Sequence, residues 1–551
     1  MDYHRGEPLR HVGDLPAMAA DRYEDKLAFE YQGDELTYRE LEQQTNSLAD
    51  SLVEYGVEPG DRVAIYIENS LQFPVSFFGI IKAGGVVVPL NHRMDKGNLN
   101  YILKDGEVDL LIAASVFGTT AEDLYEATGV ETVAIPGGSE DHHVDFDAWV
   151  EEGDEEFERV DRDFDETAIQ CYTSGTTGDP KGVMTTHRNA LTTAQSFAEV
   201  GGGDPEKSST LVVLPLFHMF GLGAVLMPSL YQGGEVILKT FPVASQLLEA
   251  ITEHEITSFA AVPAIYIEMV SEYEENPDKY DVSSIERLGS GAAPLAEDTR
   301  ERIEQVFDTP LVEGWGMTET SPAGTAQGSR GVKKGAGCIG QPLPDLELKL
   351  VNPEDRSDVR VSADFLNPTR PADTSEIDFD DEEQTTGEIA VRGPQVFKGY
   401  YKMPEKTEEV FDDDGWFYTD DIARVDEDRY LWMVDRADDM MLVGGENVYP
   451  AEIENELYSH PDVAEAAVVP APHEVKGQAP VAFIVPEHGA EPTELEIREF
   501  ALERMPTYAH PRKVFFVDEL PRSGTRKVQR YKLEEEVEER IEGELESSEK
   551  I

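Results

Sequence analysis

The sequence predicts an α/β fold in two domains, a large N-terminal α/β domain of sheets and helices and a small α+β domain behind it. The chain has 551 residues, more than one hydrophobic core usually serves. Up to about residue 340, short apolar runs alternate with helical patterns, which is typical of buried sheets covered by helices. From about Asp438 the pattern becomes a compact unit of roughly 110 residues, an ordinary domain size. We therefore place the domains at 1–437 and 438–551.

The N-terminal domain shows this alternation from its start. Predicted strands and helices follow in the order RVAIYIENS, FPVSFFGIIKAGG, VVVPLN, a helix, and VDLLIAAS. AIQCYTSGTTG then predicts a strand entering a glycine-rich loop, with the helix HRNALTTAQSFAEV after it. IERLGSGAAPLAEDTRERIEQVF repeats the order of strand, glycine turn and helix. These patterns indicate a sheet whose strand ends carry glycine-rich loops.

The most apolar stretch, Leu211 to Tyr231, is long enough to cross a membrane by residue count alone. It contains Pro215, Pro228 and two glycines, which a spanning helix rarely carries together. We predict a buried strand, a turn and a packed helix that forms an apolar pocket wall, and no integral membrane segment.

An acidic insertion is predicted at about 352–386. The stretch Pro371 to Ala390, which overlaps the end of this insertion, has seven acidic residues between Asp373 and Glu383 and no basic residue in that interval. We therefore expect this stretch to be a solvated surface rather than a site. The second domain then reads as the helix AEIENELYSH, the strands AEAAVVPAP and APVAFIVP, the helix ELEIREFALERM and the strand VFFVDELPR. The glutamate-rich tail from Leu533 predicts a charged, partly frayed helix.

The charge balance excludes some classes of function. There are 112 acidic against 46 basic side chains, a net charge of −66, which disfavours nucleic-acid binding. Because apolar periodic segments run between the charges, we expect an ordered protein adapted to a high-salt cytoplasm rather than a disordered chain. The two cysteines do not form a disulfide framework, and the N-terminal MDYHRGEPLRHVGDLP lacks the apolar run of a signal peptide. We expect a cytoplasmic protein.

The stretch YTSGTTGDPKGV, Tyr172 to Val183, is suited to holding a polyphosphate. Its glycines let backbone N–H groups approach an anion, its hydroxyls can donate hydrogen bonds, and Lys181 adds a positive charge. The spacing excludes the common P-loop, because no Gly-Lys-[Ser/Thr] follows. The candidate ligands are Thr173, Ser174, Gly175, Thr176, Thr177, Gly178 and Lys181.

With this loop and the motifs after it, the sequence resembles the adenylate-forming enzymes, which include acyl-CoA synthetases, aryl-CoA ligases, luciferases and peptide-synthetase adenylation domains. The resemblance covers nearly the whole chain. It implies stacked sheets in the first domain, a mobile C-terminal domain, and a loop that holds the β- and γ-phosphates of ATP.

The resemblance assigns the motifs of the large domain. In LPLFHMFG, His218 is expected between the acyl pocket and the adenylate, where it meets the substrate carboxylate. In GSGAAPL and EGWGMTETSP, small residues admit adenine, Thr318 donates to the α-phosphate, and Glu319 binds Mg²⁺. Trp315, expected to stack on adenine, stands where the family has tyrosine. The expected nucleotide contacts here are Gly291, Ala292, Ala293, Trp315, Gly316, Met317 and Thr318.

Three later motifs complete the assignment. GWFYTDDIA offers Asp421 as the ribose carboxylate, with Asp420 in place of the family glycine. DRADDMMLVGGENVYP offers Arg436 near the ribose and phosphate, Asp438 as hinge, and Gly444 and Gly445 along the CoA channel. LPRSGTRKVQR offers Lys527 as catalytic lysine, with Arg526 in place of the preceding glycine.

The resemblance implies an acid–thiol ligase of the fatty-acid-CoA ligase branch that uses ATP, Mg²⁺ and CoA. We expect acyl-AMP formation with pyrophosphate release, followed by transfer to CoA rather than to a carrier protein. The apolar segments favour a medium- to long-chain fatty acid, with an aryl acid as the alternative. A luciferase-like oxidase and a catalytically impaired regulatory protein remain open, and so does the assembly state, with a homodimer among the options.

Overall fold

The computed structural model describes residues 9–133, 144–173, 180–202, 204, 207–293, 295–328, 334–371, 374, 377–436, 441–443, 446–473, 477–487, 489–507, 509–522 and 528–545. Several predicted site residues lie outside this part of the chain, namely Ser174, Gly175, Thr176, Thr177, Gly178, Asp438, Gly444, Gly445 and Lys527.

The first 315 residues contain thirteen strands and eleven α-helices in the part that is described. The strands are β1 (Leu27–Tyr31), β2 (Asp34–Thr37), β3 (Arg62–Tyr66), β4 (Val86–Pro89), β5 (Val108–Ala113), β6 (Glu131–Val133), β7 (Thr167–Thr173), β8 (Lys181–Thr186), β9 (Ser209–Val212), β10 (Glu235–Leu238), β11 (Ser258–Ala261), β12 (Arg287–Ser290) and β13 (Leu311–Trp315). The helices are α1 (Asp14–Tyr23), α2 (Tyr38–Tyr55), α3 (Gln72–Lys82), α4 (Lys96–Asp105), α5 (Gly118–Thr128), α6 (Phe146–Glu152), α7 (His187–Gly201), α8 (Met227–Gln232), α9 (Ala244–His254), α10 (Pro263–Glu275) and α11 (Glu297–Phe307).

The rest of the described chain is richer in antiparallel strands. The strands are β14 (Thr325–Ala326), β15 (Cys338–Pro342), β16 (Glu347–Val351), β17 (Val359–Val361), β18 (Thr386–Arg392), β19 (Gly399–Tyr400), β20 (Phe417–Val425), β21 (Leu431–Arg436), β22 (Met441–Val443), β23 (Glu446–Val448), β24 (Val463–His473), β25 (Gly477–Pro486) and β26 (Lys513–Phe516). The helices are α12 (Ala363–Leu366), α13 (Glu382–Thr385), α14 (Pro404–Val410), α15 (Pro450–Tyr458), α16 (Glu494–Arg504) and α17 (Arg530–Leu545).

Two sheets build the large domain. One has fourteen strands in the order β17-β16-β18-β20-β21-β15-β14-β13-β12-β11-β9-β10-β1-β2 and is parallel from β13 to β1. The other has seven strands in the order β19-β8-β7-β4-β3-β5-β6, of which β7 to β6 are parallel. The parallel strands are buried and rich in Val, Ile and Leu, as expected where helices cover both faces.

Local sequence explains where the main helices begin and end. Helix α2 starts at a capping box, in which Thr37 and Glu40 satisfy each other's backbone N–H groups, and it ends at the left-handed Gly56. Helix α7 starts at Thr186 in the same manner, with Asn189 in the glutamate position. The Thr186 cap fixes the start of α7 directly after strand β8, at the end of the β7–β8 hairpin opposite to the candidate phosphate loop.

The small domain has a core of its own. Strands β22 to β26 form a third sheet, in which β24 and β25 pair over ten residue pairs. Helices α15 and α16 cover it, and Ile453, Leu457, Ile497 and Ala501 are fully buried or nearly so. The predicted fold class, a large α/β domain followed by a smaller α+β domain, is confirmed, as are the predicted helices and strands of this unit. Strand β26 is shorter than predicted.

The structure adds detail to three predictions about local structure. The predicted strand and helix around the glycine-rich loop are present as β7 and α7, and strand β8, which the sequence pattern does not indicate, stands between the loop and α7 and pairs with β7. The part of the insertion before Pro371, for which no surface role was predicted, supplies the edge strand β17 and buries Phe365 and Leu366 against the core. Helix α17 is not simply a charged tail, because Leu533 and Val537 are fully buried.

The predicted absence of a membrane span agrees with the described chain, in which no helix is both long and apolar enough to cross a bilayer. Segment Leu211 to Tyr231 instead contains the end of β9, a turn, a π-helix at Phe220–Leu226 and helix α8. Strand, turn and packed helix follow in the predicted order.

Candidate active site

The predicted site residues of the large domain lie where parallel strands end. Strands β9, β12 and β13 belong to the same parallel block, so their carboxyl ends share one edge of the large sheet. His218 follows β9, Gly291 follows β12, and Gly316 follows β13. Ligands of α/β proteins bind in the crevice at such an edge.

The small residues at this edge permit close backbone packing. A Cβ atom on Gly316 would lie 1.7 Å from the carbonyl oxygen of Pro322, so no larger side chain fits without a shift of the backbone. A Cβ on Gly291 would lie 3.2 Å from the Gly314 carbonyl oxygen. Ala292 has a φ of +66°, and Ala292 and Ala293 are exposed. The loop after β12 therefore leaves an open backbone surface beside β13.

Three predicted nucleotide residues form one cluster across the sheet. The Trp315 indole N–H donates to Oδ2 of Asp421 at 2.7 Å. Asp421 and Arg436 are paired residues on strands β20 and β21, and Nε of Arg436 lies 3.6 Å from Oδ1 of Asp421. Both oxygens of the carboxylate thus face a donor or a cation. The structure thus brings these three residues together.

The TDD motif departs from regular strand geometry. Between Tyr418 and Ile422, strand β20 has three residues opposite the single residue Ile389 of β18, which makes a bulge. Asp420 has a φ of +59°, in the left-handed region that glycine adopts at no steric cost. This conformation accounts for the usual glycine of the motif, and aspartate is among the residues that tolerate it best.

Glu319 is buried, with the hydroxyl of Tyr400 and the amino group of Lys181 nearby. The Tyr400 hydroxyl donates to Oε1 of Glu319 at 3.0 Å, and Nζ of Lys181 lies 5.2 Å from the Tyr400 ring centroid. Burial raises the pKa of the Glu319 carboxyl, while the Tyr400 hydrogen bond and the charges of Lys181 and Arg436 oppose that rise. Burial and the nearby Glu319 carboxylate likewise raise the pKa of Tyr400.

Tyr400 is the contact that sequence reasoning missed. It lies in the segment GEIAVRGPQVFKGYY, whose pattern predicts only a strand and a turn. Strand β19 pairs with β8, so Tyr400 is brought next to the first residues after the phosphate loop. A tyrosine in a short apolar strand gives no signal of this role without the sheet order.

The residues around Glu319 fit a magnesium ion. No group of three or more His, Cys, Asp or Glu side chains that could hold a metal occurs in the described ranges. Mg²⁺ commonly takes one or two carboxylates and completes its shell with water and substrate phosphates. A single buried carboxylate near the phosphate loop suits that pattern, since the ion would offset the cost of burying its charge.

His218 and Thr318 occupy the turns that follow their strands. Nδ1 of His218 accepts from the Phe220 backbone N–H at 3.2 Å, so a neutral ring carries its proton on Nε2. The π-helix that begins at Phe220 is an arrangement often found at functional sites. Thr318 opens the 3₁₀ turn Thr318–Thr320 and is half-buried, with Met317 directly before it.

The other candidates are placed only in part. Thr173 pairs with Lys181 at the base of the loop, where strands β7 and β8 meet it.

Both cysteines, Cys171 and Cys338, are buried, and burial raises each thiol pKa to about 12, so neither supplies a thiolate.

Comparison with known protein families shows to which family this chain belongs. The family described as AMP-binding enzyme matches residues 17–401, which include every described site residue except Asp421 and Arg436. The chain belongs to the AMP-binding enzyme family. The family's C-terminal domain, described as AMP-binding enzyme C-terminal domain, matches residues 452–527.

Individual relatives of this AMP-binding enzyme differ in the acid they are named for. The long-chain-fatty-acid–CoA ligase of Bacillus subtilis (strain 168) is 32% identical over 561 aligned residues, covering 96% of this chain and 95% of that protein. The feruloyl-CoA synthase of an Amycolatopsis species is 34% identical, covering 94% and 97%. The crystal structure of ATP-bound MatB from Rhodopseudomonas palustris superposes with a TM-score of 0.83 at 30% identity, covering 95% and 98%. Fold and family are thus shared across ligases for unlike acids.

Proposed function

We propose that this protein is an ATP-dependent acyl-CoA synthetase, an acid–thiol ligase. It converts a carboxylic acid to acyl-AMP with release of pyrophosphate, and then transfers the acyl group to CoA with release of AMP. The observation that carries the proposal is the cluster of Trp315, Asp421 and Arg436 beside the buried Glu319, in a chain of the AMP-binding family. Its relatives named as CoA ligases support the same conclusion.

The first half-reaction makes a carboxylate into a usable acyl donor. A carboxylate oxygen displaces pyrophosphate from the α-phosphorus of ATP, so the new mixed anhydride has AMP as its leaving group. The protein contributes mainly position and charge. In our proposal Trp315 bears the adenine, Asp421 accepts from the ribose hydroxyls, and Lys181 with the glycine-rich loop holds the departing phosphates. Mg²⁺ bound at Glu319 would offset phosphate charge.

His218, Thr318 and Lys527 complete the proposed catalytic set. Thr318 donates to the α-phosphate, and Lys527 steadies the charge that develops on the carboxylate and the α-phosphate. His218 meets the carboxylate of the acid. Its fixed ring, held by the Phe220 backbone N–H, supports that role.

The second half-reaction needs a different arrangement of the small domain. The CoA thiol attacks the acyl carbon and AMP leaves, with Gly444 and Gly445 along the thiol channel. Lys527 and this glycine pair cannot occupy the same place in one pose. We therefore propose rotation of residues 438–551 against 1–437 about Asp438, as in other hinged enzymes.

For the acid, we propose a medium- to long-chain fatty acid. Residues 211–231, which lead into and out of His218, contain no Asp, Glu, Lys or Arg. Such a wall suits an aliphatic tail. The similarity to a feruloyl-CoA synthase makes an aryl acid the competing substrate.

A panel of acids tests the proposal. The protein would be incubated at molar potassium chloride with MgATP, CoA and straight-chain acids of increasing length, or with benzoate and hydroxycinnamates, and AMP and thioester would be quantified. We expect equimolar AMP and thioester with fatty acids, and no AMP when CoA is present without an acid. Turnover only with the aryl acids would overturn the substrate assignment. Failure to release pyrophosphate with every acid would overturn the enzymatic function itself.

A further inference from the structure

The backbone of the bulge that presents Asp421 is held by the buried carboxylate of Glu388. The Asp420 backbone N–H donates to Oε1 of Glu388 at 3.1 Å, and Glu388 is only 1% exposed. On the other side of the bulge, the Asp421 N–H donates to Oγ1 of Thr419, whose hydroxyl donates to the Ile389 carbonyl. Strand β18 therefore fixes the backbone of the TDD motif at two points.

An arginine from the acidic insertion completes this support. Arg356 donates from Nε and Nη2 to the two oxygens of Glu388, each at 2.9 Å. Nη2 also donates to Oδ1 of Asp420 at 3.0 Å, and the guanidinium lies 4.6 Å from the Tyr418 ring centroid. One guanidinium group thus joins β18 to both residues that flank Thr419 in the bulge.

We propose that Arg356 is a positioning residue for the nucleotide site, which acts through Glu388 and Asp420 to hold the Asp421 carboxylate in place for the ribose hydroxyls. This inference rests on the proposed function, because it takes Asp421 as the ribose ligand. It gives the insertion at 352–386 a role in the active site. It also gives Asp420 one, since a glycine at that position would accept the backbone conformation but offer Arg356 no partner.

The arrangement makes this support specific to arginine. A buried carboxylate without a counter-charge is costly, so Glu388 depends on a cation. The planar guanidinium can bond both Glu388 oxygens and Asp420 at once, whereas a lysine can supply charge but not that fork. Loss of the clamp removes the Arg356 bond to the left-handed Asp420 and the counter-charge of Glu388, so the backbone that places the Asp421 carboxylate is less firmly held.

The test compares ATP with 2′,3′-dideoxy-ATP, because only ATP offers the hydroxyls that Asp421 would bind. Binding of each nucleotide with Mg²⁺ is measured by titration calorimetry in molar potassium chloride. Asp421→Ala calibrates the loss of the ribose contact. Arg356→Met removes the clamp, Arg356→Lys keeps its charge, and Arg370→Met is the matched control, since Arg370 pairs with Asp364 in the same insertion and is 57% exposed.

We expect the parent protein to prefer ATP by about tenfold or more, as loss of hydrogen bonds to a charged group implies. Arg356→Met should remove most of that preference, Arg356→Lys part of it, and Arg370→Met none. A purely structural role would lower thermal stability and leave the preference intact. Should Arg356→Met fail to fold, Asp420→Gly removes the bond from Arg356 to the bulge with a residue suited to the backbone and keeps the Arg356–Glu388 pair, and its preference should fall in part.

The outcomes separate the two proposals. An unchanged preference in Arg356→Met, or in Asp420→Gly where the first variant does not fold, overturns this inference if Asp421→Ala has lost the preference. A preference for ATP that survives in Asp421→Ala overturns the ribose assignment. A parent protein that binds neither nucleotide overturns the proposed function. In either case this inference is overturned as well.

Discussion

The indole N–H of Trp315 donates a 2.7 Å hydrogen bond to Oδ2 of Asp421 and so joins the end of strand β13 to the bulge in β20. Three strands, β21, β15 and β14, lie between β20 and β13 in the sheet, yet the two side chains meet. In the proposed site, the adenine platform and the ribose carboxylate are therefore one unit.

Trp315→Phe should weaken ATP binding without unfolding the protein. It keeps an aromatic ring but removes the donor, and loss of a hydrogen bond to a charged group corresponds to roughly a tenfold rise in KM for ATP. KM for CoA should change little. Steady-state pyrophosphate release against ATP concentration checks this.

The control for this change is Trp432→Phe. Its indole N–H also donates to a carboxylate, that of Asp426 at 3.1 Å, on the same sheet but outside the proposed site. We expect no change in KM for ATP in the control. Equal effects of the two variants would show that the Trp315 bond serves only stability.

Much of the fold follows from the sequence, because its determinants are local. Periodic apolar residues and caps such as Thr37 and Thr186 are read within a few positions. The site follows less completely. Tyr400 approaches Glu319 only because β19 pairs with β8 in the seven-stranded sheet and this sheet packs near the end of β13 in the other. Arg356 approaches Asp420 only because distant strands of the fourteen-stranded sheet lie side by side. The sequence marks Asp420 as unusual, but its left-handed backbone and its partner depend on a bulge that no local pattern encodes.

Lys181→Met should impair the first half-reaction. Lys181 is the cation at the base of the loop and adds to the field around Glu319. We expect kcat/KM for ATP to fall on the order of 100-fold, the scale found when one transition-state donor is removed. Thioester formation from supplied acyl-adenylate and CoA should be retained.

Lys402→Met provides the comparison for Lys181. Lys402 also lies over a tyrosine ring, 5.1 Å from the Tyr401 centroid, and it pairs with Glu107 outside the site. Its removal should leave kcat/KM for ATP unchanged. If both variants lose the same activity, a general charge effect explains the loss and the assignment of Lys181 is wrong.

Glu313→Gln should stabilise the protein at alkaline pH. Burial raises the pKa of the Glu313 carboxyl from 4.5 to about 7, although the Gly337 backbone N–H donates to it at 3.1 Å. The native state therefore keeps a proton that the unfolded chain releases, and stability is lost as pH rises from about 4.5 to about 7. The shift corresponds to about 3 kcal/mol once both states are ionised.

Thermal unfolding at pH 5 and pH 8.5 measures this effect. Glutamine keeps the acceptor for Gly337 and carries no charge, so the Tm advantage of Glu313→Gln should be small at pH 5 and largest at pH 8.5. The exposed Glu301→Gln corrects for the loss of one surface charge. A Tm advantage that does not grow with pH would contradict the predicted cost of ionising Glu313.

Salt should stabilise the fold, because the chain carries a large excess of negative charge. With a net charge of −66, carboxylates repel each other across the surface. At molar salt the Debye length is about 3 Å, so most of this repulsion is screened. We expect Tm to rise between 0.1 and 2 M potassium chloride by roughly ten degrees or more. Sucrose, which stabilises by exclusion without screening, is the control, and a Tm that responds to sucrose alone would contradict the prediction.

Lys527→Ala should separate the two half-reactions. In the proposed mechanism Lys527 contacts the carboxylate and the α-phosphate only while acyl-AMP forms, and the small domain then rotates it away. Acyl-adenylate formation, measured as acid-dependent pyrophosphate release, should fall by on the order of 100-fold or more. Thioester formation from supplied acyl-adenylate should remain near the parent rate.

Arg530→Met is a useful comparison on the same segment, because Arg530 bonds Glu454 within the small domain and its loss should affect stability rather than one half-reaction. Equal losses in both half-reactions for Lys527→Ala would contradict the alternation, because a lysine that serves both steps could not be exchanged for the glycine pair by a rotation about Asp438.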